Sequence, residues 1–213
     1  MKALPRILMA LAVPALLMLF VFPMWQIILY APQYPDGVAM HIWINKIGGE
    51  EPSTIQNINI LNHYVGMKYI EPDSIKELVY FPYIILAMAA LALLAAIINR
   101  KGLFLGWAIL MILLAAVGMY DFYLWEYDYG HNLSPTAPIE IPGASFQPPL
   151  IGTKIILNFT AQSFPHIGGY FAGLSIFLAA LAWWLKRKND RKNETTISLG
   201  DEQPVAGRLH PQA

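Results

Sequence analysis

The sequence predicts an all-α membrane protein: four transmembrane helices with both termini inside, and a small mixed α+β cap built outside by two long loops. Three observations predict it. Apolar residues make up 56% of the chain and charged residues only 13%, unlike an ordinary soluble domain. Four apolar runs, Ile7–Ala31, Val79–Ile98, Leu103–Trp125 and Ile167–Leu185, approach or exceed the about 20 residues that a helix needs to cross a bilayer. Finally, most of the lysines and arginines fall at the N-terminus, in the short loop after the second run, or in the tail. Only Lys46, Lys68, Lys76 and Lys154 belong to the long segments 32–78 and 126–166. Basic residues near span ends stay cytoplasmic, so the expectation is N-in, C-in, with both long loops outside.

Taken in order, residues 1–31 read as an uncleaved helical anchor. Lys2 and Arg6 precede an apolar core, but the small-residue cleavage pattern of a secretory signal is absent. Pro14 and Pro23 are expected to kink it. In the first outer loop, 32–78, Val38, Met40, Ile42 and Ile44 alternate with Ala39, His41 and Trp43, the period of a strand, and Gly48-Gly49 breaks it. Ser53-Thr-Ile-Gln56 resembles a capping box. Ile55, Ile58, Leu61 and Val65 follow at helical spacing, with Asn59, His63 and Met67 along another side and Gly66 as terminator. Asp73-Ser74 signals the entry to the second span, 79–99, whose alanines admit a close helical neighbour. Asn99-Arg-Lys-Gly102 is a tight inner turn into the third span, 103–125. Gly102 with Gly106, and Gly169 with Gly173, have the spacing of helix contacts. The proline-rich second outer loop, 126–166, forbids a long helix; in it 139–141 and 154–159 are candidate strands that pair with 38–44. The fourth span is 167–185, and 186–213 reads as a disordered cytoplasmic tail.

Chemistry concentrates where the third run stops. The stretch 119–131 packs Asp121, Glu126, Asp128 and His131 among aromatic side chains. On a helix Asp121, Trp125 and Asp128 share one face and Glu126 points elsewhere. The outer portion, from Tyr30 to His166 without the inner turn 99–102, holds ten acids against four lysines, a formal −6. That favours cations over nucleic acid as partners. With no cysteine in the chain, soft-metal chemistry falls to methionine and histidine, ligands that suit copper. His63 and Met67, four apart, are the first candidates, joined by His131, His166 or His41; Asp128, Asp121 and Glu126 would orient them from behind. The histidines fall at span ends and not on facing helices within spans, so no haem is expected. No phosphate loop, Ser-His-Asp spacing or H-E-x-x-H zinc helix occurs. The chain is therefore read as a non-enzyme, with an acid–base site of Asp121, Glu126 or Asp128 and His131 as the enzymatic alternative.

Three strings carry a resemblance: Leu61-Asn-His-Tyr-Val-Gly-Met67, Tyr127-Asp-Tyr-Gly-His-Asn132 and Gln147-Pro-Pro-Leu-Ile-Gly152. They resemble those of small four-span bacterial membrane proteins of unassigned activity, associated with nitrous-oxide-reductase accessory clusters. The resemblance covers about residues 5–185. It implies a multi-pass protein of the bacterial inner membrane with periplasmic loops, serving copper handling or the maturation of a copper enzyme. Copper is then the cofactor, and membrane lipid and a periplasmic copper protein are the partners. The alternative expectation is a metal-free scaffold that docks a periplasmic partner, followed by a small membrane enzyme at the outer leaflet.

Overall fold

The computed structural model describes residues 3–139, 141, 143 and 145–201. It corrects the all-α, four-span expectation: the chain is a mixed α/β protein in which a five-stranded antiparallel sheet joins a bundle of helices. The first predicted span is where the expectation fails. Helix α1 covers Leu4–Leu17 and passes through a 3-10 turn that ends at Phe20. The apolar residues beyond it form strand β1, Trp25–Ala31. Pro23 has no N–H to continue a helix and disfavours helical backbone at Phe22. A short apolar run suits a buried strand as well as a helix, and here tertiary pairing decides for the strand.

Among the described residues three helices are long and apolar enough to cross a membrane: α3 (Glu77–Ile98), α4 (Lys101–His131) and α5 (Ile167–Asp201). They are consistent with a membrane protein. α1 is shorter but packs in the same bundle, where Met9 and Leu16 of α1, Ala92 of α3, Phe104 of α4 and Ala182 of α5 are fully buried together. The alanines of α3 allow this close approach, and the Trp107 indole N–H donates to the Met88 carbonyl at 2.8 Å. Leu86, Leu94, Ile97, Ile112, Leu113 and Val117 remain exposed, an apolar surface that suits lipid and not water. The expected glycine contacts are not made at 102, 106 or 173, where an added Cβ would meet nothing within 4 Å among the described residues. α5 continues past its predicted end at 185, and residues 202–213 of the tail lie outside the described residues.

The sheet comprises β1 with β2 (Tyr34–Ile42), β3 (Ile47–Gly49), β4 (Gly152–Ile156) and β5 (Phe159–Pro165), in the order β3-β2-β1-β5-β4. So the strand expected at 38–44 exists but begins earlier. The one expected at 154–159 resolves into parts of two strands that reverse at Leu157, whose φ is 56°. Residue 140 of the expected 139–141 strand lies outside the described residues. Helix α2 (Thr54–Val65) forms where the spacing predicts and stops at Gly66, in the left-handed conformation at φ 79° that glycine adopts without strain. Ser53 makes no side-chain cap bond; the Thr54 hydroxyl instead accepts from the Glu51 N–H at 3.2 Å.

α2 and the outer end of α4 cover one face of the sheet. Ile27, Val38, Met40 and Ile42 are buried there against Ile58 and Ile70, with Phe122, Trp125 and Tyr129 packed alongside. Alternate strand residues, Gln26, Ile28, His41 and Phe164, point to the opposite face. α4 makes this packing possible by its length. Its 31 residues extend about 46 Å at 1.5 Å per residue, against a hydrocarbon core of about 30 Å. The last ten or so residues, from about Phe122, exceed that length and lie as a rigid arm across the sheet.

Candidate functional site

On that arm Phe122, Trp125, Glu126 and Tyr129 follow the i, i+3, i+4, i+7 spacing of a single helical face. Three of the four are aromatic and belong against the sheet; the fourth is an acid carried inward with them. Glu126 is fully buried, and neither carboxyl oxygen has a hydrogen-bond partner. It borders a cavity of about 60 Å³ between the sheet, α2 and α4. The walls are almost wholly apolar. Met40 comes from β2, Met67 from the segment after α2, and Trp125 and Tyr129 from α4, with Asn62 the other polar side chain. The Asn62 amide donates to the Lys68 carbonyl at 3.2 Å.

Burial pushes the Glu126 carboxyl up to about 8, against a weaker downward pull from the Lys154 ammonium. The cause is the cost of a charge without water. At pH 7 the group is thus mainly a neutral acid, able to donate one hydrogen bond and to accept others. It gains an advantage from ionising only against a positive charge brought into the cavity.

A strap, residues 146–150, closes the outer side. Its Phe146 N–H donates to the Gly130 carbonyl at 3.0 Å. The Lys154 ammonium donates to the Gln147 carbonyl at 3.0 Å. The Leu150 carbonyl accepts from the Ser163 hydroxyl at 3.1 Å, and that hydroxyl in turn accepts from the Trp25 indole at 2.8 Å. Phe146, the strap's first residue, is itself buried and lines the cavity.

Comparison with protein families, with curated proteins and with solved structures finds no match. The site therefore rests on this chain's own geometry. The three strings singled out in the sequence all reach the cavity: the first through Leu61, Asn62 and Met67, the second through Tyr129, and the third through Pro148.

The candidate ligands distribute as follows. His63 is exposed on α2, beside the rings of Tyr64 and Tyr69. α2 ends at Val65, so Met67 lies beyond the helix and faces the cavity. A spacing of four brings side chains together only while the helix continues through both. His131 is exposed, stacks on Tyr127 at 3.9 Å between ring centroids, and pairs through Nδ1 with the Tyr127 carbonyl at 3.0 Å. Asp128 binds Lys68 at 2.6 Å and also accepts from Asn132. The hydrogen bond from Lys68, then that from Asn132, holds its carboxyl below the ordinary range. Asp121 is half-buried near Glu77. His41 and His166 are brought together on the opposite side of the sheet, with ring centroids 5.0 Å apart. Among the described residues no three histidine, aspartate or glutamate side chains converge closely enough to hold a metal ion.

Glu126 was visible in the sequence only as one acid among several. The signal that separates it is the aromatic stripe of Phe122, Trp125 and Tyr129, which includes position 126 and excludes Asp121 and Asp128. Met40 and Asn62 carried no comparable signal, because each is an ordinary residue of a strand or helix until the strap encloses it.

Proposed function

We propose that this chain is a membrane accessory protein for copper handling on the outer side of a bacterial inner membrane, and that the cavity beside Glu126 is where it holds Cu(I). The observation that carries the reading is a fully buried carboxyl without a hydrogen-bond partner, in a cavity walled by two thioethers. Met40 and Met67 supply soft ligands in a chain without cysteine. Ionised Glu126 supplies one negative charge, which neutralises a monovalent cation in an apolar surrounding where an unpaired charge would be costly. The convergence of the three resemblance strings on this cavity supports the same reading.

The test is Cu(I) competition with a chromogenic chelator on the purified protein in detergent. Met67→Leu and Met40→Leu are expected to weaken retention at least about tenfold, within the range seen when a metal site loses a supporting group, while His63→Ala and His131→Ala leave it unchanged. Binding requires ionised Glu126, so affinity should climb up to about tenfold per pH unit between pH 6 and 8 and then level off. In Glu126→Gln that climb should disappear. A wild type that retains no Cu(I), or equal retention in all these variants, ends the copper reading.

The metal-free scaffold is then the reading that stands. It is favoured by the sheet edge at β4, where Ile155, and Ile151 just before the strand, are 75% and 61% exposed and, among the described residues, no strand pairs with the other side, which could take an added strand from a partner protein.

Orientation is tested separately. The turn between α3 and α4 and the middle of α5 gather Arg100, Lys101 and Lys186, with Asp190 3.9 Å from Lys101 and 3.6 Å from Lys186. The basic end belongs inside by the charge bias. On intact spheroplasts Glu51→Cys should react with an impermeant thiol reagent, and Thr195→Cys should not. The reverse pattern would invert the topology.

A further inference from the structure

The opposite face of the sheet carries a second cluster that the cavity does not involve. His41 lies near the end of β2, on the face turned away from Met40. Its backbone is fixed on both sides, paired with Gln26 of β1 and Gly48 of β3. His166 occupies the corner between β5 and α5, where its N–H donates to the Met24 carbonyl at 3.0 Å. The two imidazoles are thus held by rigid backbone, as a preformed site requires. Their centroids lie 5.0 Å apart and their planes are tilted by 49°. Gly48 places no side chain beside His41, and a Cβ there would meet only the Trp43 ring, at 3.6 Å.

Two details distinguish this pair from a chance contact. The Nδ1 atom of His166 is buried with no hydrogen-bond partner, although a buried ring nitrogen ordinarily has one. In addition, burial and then the neighbouring His166 lower the His41 pKa, against an opposing pull from exposed Glu50. The other charged group at this place is Lys46, whose ammonium sits over the Trp43 ring at 4.6 Å.

The separation is also informative. A metal–nitrogen bond of about 2.0–2.1 Å places each imidazole centroid about 3 Å from the ion, so two rings sharing a tetrahedral ion have centroids about 5 Å apart. Two-coordinate linear binding would set them at about 6 Å by the same bond length.

We propose that His41 and His166 form a two-histidine binding site for a divalent transition-metal cation of the zinc class, with water completing the coordination. The site lies on the far side of the sheet from Glu126 and stands whether or not the cavity takes copper. Its chemistry, borderline nitrogen ligands without sulfur, differs from that of the thioether cavity.

The experiment uses the full-length protein in detergent with Zn(II) as the probe. Wild type is expected to bind one equivalent tightly enough to compete with a chromogenic zinc indicator. His41→Gln and His166→Gln should each weaken binding at least tenfold, whereas His63→Ala and His131→Ala should leave it unchanged. A second measurement needs no variant. Zn(II) should protect His41 and His166 of the wild type from diethyl pyrocarbonate, as read by mass spectrometry, while exposed His63 and His131 are modified as before. Absence of zinc binding by the wild type, equal binding by the glutamine variants, or protection that falls on His63 and His131 instead would each overturn the site.

Discussion

Glu126→Gln is expected to stabilise the protein by about 3 kcal/mol at pH 7 and to leave it unchanged near pH 4.5. The wild-type carboxyl is raised in the folded state from 4.5 to about 8 by burial. Below pH 4.5 it is protonated in both folded and unfolded chains and contributes no pH dependence. As pH rises through 4.5 the unfolded chain releases this proton and gains hydration, while the folded chain keeps it. Folded stability therefore falls steadily with pH until the folded group ionises near pH 8, and is level above that. Each pH unit in the window is worth about 1.4 kcal/mol, which gives the figure at pH 7. Glutamine copies the neutral acid in shape and polarity but cannot ionise, so its stability curve should lack this slope. Denaturant unfolding followed by tryptophan fluorescence, in detergent from pH 4.5 to 8.5, measures both curves. If they run parallel, Glu126 is not buried as an acid.

Gly130→Ala is expected to destabilise the outer unit by about 2 kcal/mol or more, even though alanine is the better helix former by about 1 kcal/mol. A Cβ at position 130 would lie 2.3 Å from the Gln147 nitrogen and 2.4 Å from its Cα. Both are backbone atoms of the strap, so no rotamer change relieves the contact and the chain itself must move. Movement breaks the Phe146 to Gly130 hydrogen bond and uncovers Phe146, which is 3% exposed; burying such a ring contributes up to about 3 kcal/mol. Limited proteolysis reads the outcome as faster cleavage within residues 133–150. Because an opened strap admits water to Glu126, the pH slope of stability should flatten in the same variant. Unchanged cleavage together with an unchanged slope would mean that the strap does not seal the cavity.

Several features were legible in the sequence because they depend on neighbours along the chain. The runs at 79–98, 103–125 and 167–185 are apolar all round and long enough to fix themselves as helices. Ile55, Ile58, Leu61 and Val65 set α2 by their spacing, and Gly66 ends it by its tolerance of positive φ. The alternation from Val38 to Ile42 is strand whatever it pairs with.

The remainder depended on contacts between distant segments. Trp25–Ala31 is apolar enough to extend a helix and alternates well enough to be a strand. Its pairing with β2 on one side and β5, more than 120 residues later, on the other settles the matter. His63 and Met67 have the spacing of a shared ligand set, but one residue of left-handed backbone at Gly66 separates their directions. His41 and His166 have no relation in sequence and meet because both flank the ends of paired strands.

By itself, then, the sequence determined three of the four apolar helices it predicted, the absence of cysteine, the acidity of the segments between them, and the residue types available for chemistry, since all of these follow from composition and short-range periodicity. Only the tertiary structure decided which acid is buried, which methionines face it and which histidines meet. Burial and convergence are properties of the space between segments, and in this chain that space is closed by a strap, a central strand and a helical arm that are far apart in sequence.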